Sequence, residues 1–261
     1  MIDIDIELKD LSLAYGKNEV IHNISFQIER GSFVGLVGPN GSGKSTIIKS
    51  LSRIMLPTHG NIDIRGRDIA KIKQKDLALL VSVVPQSPLL PSAFTAFEIV
   101  LMGRNPHMGF FEYESEEDMS IVENAMSKTD TLRFKDRRIS ELSGGEIQSV
   151  VIARALAQQT ELIILDEPTA ALDVSRQIDV LNFLRHHCKE NNITIVTAIH
   201  DLNLASHYCD RLILIKKGQV FCDDIPSKVI TNENLAEVYG PGSYVYPHPY
   251  SGLPAVLPMV E

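Results

Sequence analysis

One short stretch constrains this chain more than any other: Gly38-Pro39-Asn40-Gly41-Ser42-Gly43-Lys44-Ser45. It fits the spacing G-x-x-x-x-G-K-[ST] and follows the apolar run Phe33–Gly38. A helical pattern, with Ile47, Ile48, Leu51, Ile54 and Met55 on one face, comes directly after it. A strand, a glycine loop and a helix in that order make a cradle for phosphate. The glycines let backbone N–H groups curl around oxygens, and the helix aims its positive end at them. Lys44 is expected to reach the β- and γ-phosphates, and Ser45 to offer a hydroxyl to Mg²⁺.

The rest of the chain supplies the scaffold that such a loop needs. Ile2, Ile4, Ile6 and Leu8 alternate with Asp3, Asp5 and Glu7, the period of a half-exposed antiparallel strand. Similar pieces follow at Val20–Ile28 and Asn61–Arg65. Leu162–Leu165, Ile193–Ile199 and Leu212–Ile215 are nearly continuous apolar runs, as is the strand-sized stretch Leu77–Val84. Runs of this kind suit parallel strands covered on both faces. With Ile178, Leu181, Leu184 and Cys188 on one helical face between them, the pattern predicts an α/β core with a mostly parallel sheet. Residues 88–159 read as an inserted helical subdomain. Within it Ser115 and Asp118 are spaced as a capping box, the surrounding acids are expected in solvent, and Met119, Val122 and Met126 share a face. The five prolines after Gly240 predict an irregular tail over 241–261. The core then comprises 1–87 and 160–240.

Two further constellations carry chemistry. Leu162-Ile-Ile-Leu165-Asp166-Glu167 is a buried strand ending in two carboxylates. Asp166 is suited to orient Mg²⁺ and its waters. Glu167, pointing the other way because strand side chains alternate, is suited to take a proton from attacking water. Leu142-Ser143-Gly144-Gly145-Glu146 opens a helix running to Gln158, so it joins a hydroxyl, N–H groups and a helix N-terminus.

With these residues the sequence resembles the ATP-binding-cassette (ABC) family over nearly its whole length, motif by motif and in the family's order. The resemblance implies a P-loop cassette with an antiparallel β subdomain and a helical signature subdomain. It implies ATP binding by Gly38–Ser45 with Thr46, and an adenine-stacking role for Tyr15. Gln86 matches the glutamine that senses the γ-phosphate and Mg²⁺, and His200 the switch histidine. Two chains would pair head to tail as a homodimer, with Ser143, Gly144, Gly145, Glu146 and Asp173 of one facing the ATP of the other. Lys44 and Mg²⁺ would stabilise charge while Glu167 and His200 handle the water. The chain departs from the commonest family pattern at Glu146, Ile147, Ser149 and Ala170, which bears on interface coupling and not on ATP binding.

Finer likeness lies in Thr95–His107, which holds Gly103-Arg104-Asn-Pro106-His107, in His200–Arg211 and in Leu235–Gly240. These resemble the ATPases of iron–siderophore, haem and cobalamin importers, a group that includes some molybdate or tungstate importers. Such an ATPase works on two separate membrane permease subunits, receiving them along Gln86–Arg104, and indirectly with a substrate-binding protein. It would sit peripherally at the cytoplasmic face of the cell membrane. The formal charge of −8, from 25 basic and 33 acidic residues, argues against a nucleic-acid partner and against direct attraction to lipid. No apolar run reaches the ~18 residues of a membrane span, and the acidic start shows no signal peptide. Cys188, Cys209 and Cys222 are too sparse for a disulfide framework or zinc site, the pattern of an intracellular protein. His186 and His187 point about 100° apart on a helix and, with His207, are expected at the surface. The rival readings are a non-transport cassette, such as the ATPase of iron–sulfur cluster assembly, and a DNA-repair or translation cassette. The latter usually carries coiled-coil or zinc insertions, which this sequence lacks.

Overall fold

The computed structural model describes residues 3–109 and 112–259. The chain forms two compact units, one from 1–72 with 187–261 and one from 73–186. In chain order the first unit opens with β1 (Ile4–Tyr15), β2 (Asn18–Glu29), β3 (Phe33–Val37), α1 (Lys44–Leu51), β4 (His59–Ile64) and β5 (Arg67–Asp68). The second holds α2 (Gln74–Leu80), β6 (Val81–Val84), α3 (Ala96–Leu101), α4 (Glu116–Lys128), α5 (Gly144–Ala157) and β7 (Leu162–Asp166), and most of α6 (Val174–Asn191). The chain then returns through β8 (Thr194–Ala198), α7 (Leu202–Tyr208), β9 (Arg211–Lys216) and β10 (Gln219–Asp224). It ends with α8 (Pro226–Val229), α9 (Asn232–Tyr239), β11 (Ser243–Pro247) and β12 (Pro254–Pro258).

The first unit has an antiparallel sheet, β2-β1-β4-β5, as the alternating pattern predicts. Asp5 departs from that pattern, because the alternation placed it on the solvent face and it is buried. Arg65 Nε donates to its carboxylate at 2.9 Å and the Thr194 hydroxyl donates to it as well, so the buried charge is paired. Ile2 lies outside the described residues. In the same unit β3 runs parallel to β8 and β9, and β10 closes that edge antiparallel to β9. Every residue of β3 and β8 is buried, as continuous apolar runs require. In the second unit β6 and β7 pair in parallel. Leu77–Val84 is not one strand there: α2 takes residues to Leu80, and only Val81–Val84 is extended.

Several helical stripes end sooner than their spacing suggested. Helix α1 stops at Leu51, and Ile54 beyond it is 71% exposed. Ile178 and Met119 are also exposed while Leu181, Leu184, Cys188, Val122 and Met126 are buried. Among the described residues no helix is long and apolar enough to cross a membrane.

The tail is the largest correction, since residues 243–258 form an antiparallel hairpin. Its ladder is bracketed by Met259 N–H donating to Gly242 O and His248 N–H donating to Leu253 O. The pairs Ser243–Pro258, Val245–Val256 and Pro247–Pro254 therefore alternate with the hydrogen-bonded ones. All three prolines of the strands occupy positions whose N–H would point away from the partner strand, so none breaks the ladder.

Candidate active site

Within the first unit the loop from Gly38 to Gly43 joins β3 to α1, and its shape depends on glycine. Gly38 has φ +147°, and a Cβ there would lie 2.2 Å from the Ile215 carbonyl oxygen. Gly43 has φ +110°, and a Cβ would lie 2.4 Å from Ile21 Cδ1. Gly43 is also the N-cap of α1 and, having no side chain, supplies no cap to the first amides of the helix. Lys44 is buried and folds back over the loop, donating to Gly38 O at 2.8 Å and Pro39 O at 3.1 Å. The Ser42 hydroxyl is buried and has no hydrogen-bond partner among the described residues. Ser45 is half-buried and Thr46 buried, while Asn40 and Gly41 are exposed. A cation, an orphan hydroxyl and uncapped amides in one loop can accept a polyphosphate.

Tyr15, at the end of β1, is 49% exposed. Its ring carries the ammonium of Lys49 at 5.7 Å from the centroid, and Lys49 donates to its hydroxyl at 3.4 Å. Nothing local in the sequence marks Lys49, which meets Tyr15 through packing between β1 and α1. His200 follows β8 and is exposed, directly ahead of Asp201. Asp201 is the N-cap of α7 and accepts from Asn203 N–H at 2.8 Å and Leu204 N–H at 3.1 Å.

In the second unit β7 ends at the buried Asp166, and Glu167 follows with φ +49°. A left-handed backbone at a non-glycine residue stores roughly 1–2 kcal/mol, and such strain clusters at working sites. Glu167 Oε2 accepts from Gln86 Nε2 at 2.8 Å, so two residues 81 positions apart are brought together. Asp173 is spent locally: its Oδ1 accepts from Arg176 N–H at 2.9 Å at the start of α6. In the second unit Gln86 offers an amide oxygen and Asp166 a carboxylate, and in the first unit Ser45 separately offers a hydroxyl. These are hard oxygen ligands of the kind Mg²⁺ takes.

Ser143 caps α5 in a reciprocal box. Its hydroxyl accepts from Glu146 N–H at 3.3 Å, and Glu146 Oε2 accepts from Ser143 N–H at 2.8 Å. The Ser143 amide and hydroxyl hold the Glu146 carboxyl below its usual range, helped by the charge of Arg137. Glu146 therefore rigidifies the Ser143–Gly145 turn while Arg137 Nη1 sits 3.5 Å from its other oxygen. Arg137 was not legible in the sequence, because nothing local marks it as a partner of α5.

The far end of α5 is closed by Gly103–His107, a 3₁₀ segment covering Met102–His107. Arg104 Nη1 donates to Ala157 O at 2.8 Å and to Gln159 Oε1 at 2.9 Å. His107 Nε2 meets Gln158 O at 2.8 Å. A Cβ at Gly103 would lie 2.4 Å from Arg154 O, so only glycine allows this approach. The last carbonyls of a helix lack internal partners, and this motif supplies them. Arg104 Nε also pairs with Asp118 at 2.8 Å, with 7% and 12% of the two side chains exposed. Asp118 is thus a buried ion-pair partner and not a solvated acid.

The family model for ABC transporters matches residues 21–170, which hold the phosphate loop, the Ser143–Glu146 turn and the Asp166-Glu167 strand end. The chain belongs to the ABC transporter family. This ABC ATPase is 36% identical over 251 residues to the ferric enterobactin transport ATP-binding protein FepC of Escherichia coli K12, covering 96% of this chain and 93% of that protein. It is 37% identical over 252 residues to the iron(3+)-hydroxamate import ATP-binding protein FhuC of Bacillus subtilis 168, covering 97% and 94%. Among solved structures, a chain described as a metal-chelate type ABC transporter in an inward-facing conformation superposes with TM-score 0.85 at 27% identity, covering 99% and 98%. A dimeric bacterial ABC transporter cassette superposes with TM-score 0.77 at 29% identity, covering 85% of this chain and 98% of that one.

Proposed function

We propose that this ABC ATPase is the ATP-hydrolysing subunit of an importer for metal chelates of the ferric-siderophore or cobalamin type. The observation that carries this reading is likeness over 96–97% of the chain to the two iron-chelate import ATP-binding proteins, with Gly103–His107 forming one ordered cap on α5. In this reading two copies pair head to tail and dock through Gln86–Arg104 on two permease subunits at the cytoplasmic face of the membrane. A substrate-binding protein delivers the cargo on the other side.

Each site residue then has a task. Gly38–Gly43, Lys44, Ser45 and Thr46 hold the phosphates, and Tyr15 stacks on adenine. Ser143, Gly144 and Gly145 present amides and a hydroxyl to the partner's γ-phosphate, with Glu146 bracing their turn and Asp173 facing the same nucleotide across the dimer. Ser45, Gln86 and Asp166 would hold Mg²⁺, which supplies charge neutralisation on the phosphates. Glu167 accepts the proton of the attacking water as its oxygen bonds to the γ-phosphorus and ADP departs, and His200 contacts the γ-phosphate. Gln86 lies within hydrogen-bond reach of Glu167, which supports a shared role for the pair.

Glu167→Gln is expected to bind ATP with unchanged affinity, hydrolyse it at least ~100-fold more slowly and accumulate as a dimer by light scattering. Wild-type turnover in that variant removes Glu167 as the base. Affinity purification from membranes of the native cell tests the importer role: a polytopic permease should be captured. Capture of a soluble iron–sulfur scaffold in its place would overturn it.

A further inference from the structure

The tail after Gly240 has no part in the reading above, yet its hydrogen bonds are unusually directed. Val245 and Val256 face each other in a non-hydrogen-bonded pair, so both N–H groups point away from the hairpin. Both are captured by asparagines. Val245 N–H donates to Asn232 Oδ1 on α9 at 2.8 Å, and Val256 N–H donates to Asn203 Oδ1 on α7 at 2.7 Å. Asn203 Nδ2 returns a bond to Val256 O at 3.2 Å, so one side-chain amide pairs with one peptide as a further strand would. Pro254 and Pro258 occupy the flanking outward positions of β12 and offer no N–H. Along that edge the Val256 peptide is thus singled out, and a single residue reads it. A second contact lies one turn further along α7. His207 Nε2 meets Ser251 Oγ at 3.2 Å, and the His207 ring packs edge-on against His248 with centroids 4.9 Å apart.

Helix α7 begins immediately after His200. Asp201 caps it by accepting from the amide of Asn203, the same residue that grips the hairpin. We propose that the C-terminal hairpin is a clamp on α7, with Asn203 as the positioning residue that fixes where His200 stands. The physical reason is leverage: α7 is only seven residues long, so its own hydrogen bonds cannot hold its N-terminus in place. The bidentate Asn203–Val256 pairing supplies an anchor two residues past the cap. This proposal rests on the assignment of His200 to the γ-phosphate.

Two variants of the full chain test it. Asn203→Ala removes the grip from the helix side. Val256→Pro removes it from the hairpin side, and it leaves the inner ladder intact because Val256 does not spend its N–H there. Each is expected to lower kcat for ATP hydrolysis about tenfold, on the scale of one or two lost hydrogen bonds. The dissociation constant for ATP, measured by equilibrium titration, should stay within about twofold, because the phosphate loop is untouched. Unchanged kcat in either variant overturns the clamp. So does a parallel loss of kcat, ATP affinity and melting temperature, which would mark a purely structural contact. His200→Ala separates the two layers. Wild-type turnover there removes the His200 assignment, whereas an inactive His200→Ala beside a fully active Asn203→Ala removes the clamp alone.

Discussion

Asp118→Asn isolates a charge that works inside the helical part of the second unit. Asp118 is held to about 2, well below the usual carboxylate range, first by the Ser115 hydroxyl, then by Arg104, and then by the Ser115 amide. Its ordinary value is 3.8. A carboxylate depressed on folding stabilises the fold fully above the unfolded value, and that stabilisation is lost as pH falls through the folded one. The window is therefore from about 4 down to about 2. The depression corresponds to on the order of 2 kcal/mol at neutral pH. Asn keeps the shape and one acceptor but leaves Arg104 as a buried cation whose other partners are Ala157 O and Gln159 Oε1. Uncompensated buried charge raises the loss toward about 3 kcal/mol. In urea, with a slope near 3 kcal/mol per molar, the unfolding midpoint of the second unit should drop by about 1 M at pH 7. The gap between Asp118→Asn and the parent should narrow as pH is lowered from about 4 to about 2, because the parent carboxylate is then neutralised too. A midpoint within about 0.2 M of the parent, or a gap that widens in acid, would refute the reasoning.

Tyr15→Ala should weaken ATP binding by about 1–3 kcal/mol, the scale of one base stacked on an aromatic ring, while leaving inorganic triphosphate binding unchanged in a competition titration. Ser143→Arg removes the hydroxyl and crowds the turn ahead of α5. It should leave ATP affinity of the single chain intact and abolish the ATP-induced dimer in a Glu167→Gln background, read by light scattering. A dimer that persists would exclude the Ser143 turn from the interface.

What was legible in the sequence was local. The Gly38–Ser45 loop, the capping box at Ser115, the Ser143-Gly144-Gly145 turn opening a helix, and the carboxylates closing Leu162–Asp166 each depend on residues within a few positions of one another. Spacing and residue type therefore determine them. Parallel strands were legible for the same reason, since a run apolar on both faces has few other uses. The prolines after Gly240 misled, because composition does not say which N–H groups a ladder leaves unused. That depends on register, and register is set when β11 meets β12.

The tertiary structure alone decided where charges and anchors came to rest. Asp5 was assigned to solvent by alternation and is buried against Arg65 and Thr194. Asp118 is legible as half of the Ser115 capping box but not as the buried partner of Arg104, and Gln86 meets Glu167 across 81 residues. Asn203 looked like one position in a motif and grips a peptide 53 residues away. Each of these pairings is fixed by the docking of separate elements. Sequence specifies which groups can form a bond, but the packing of strands and helices brings the two halves within about 3 Å of each other.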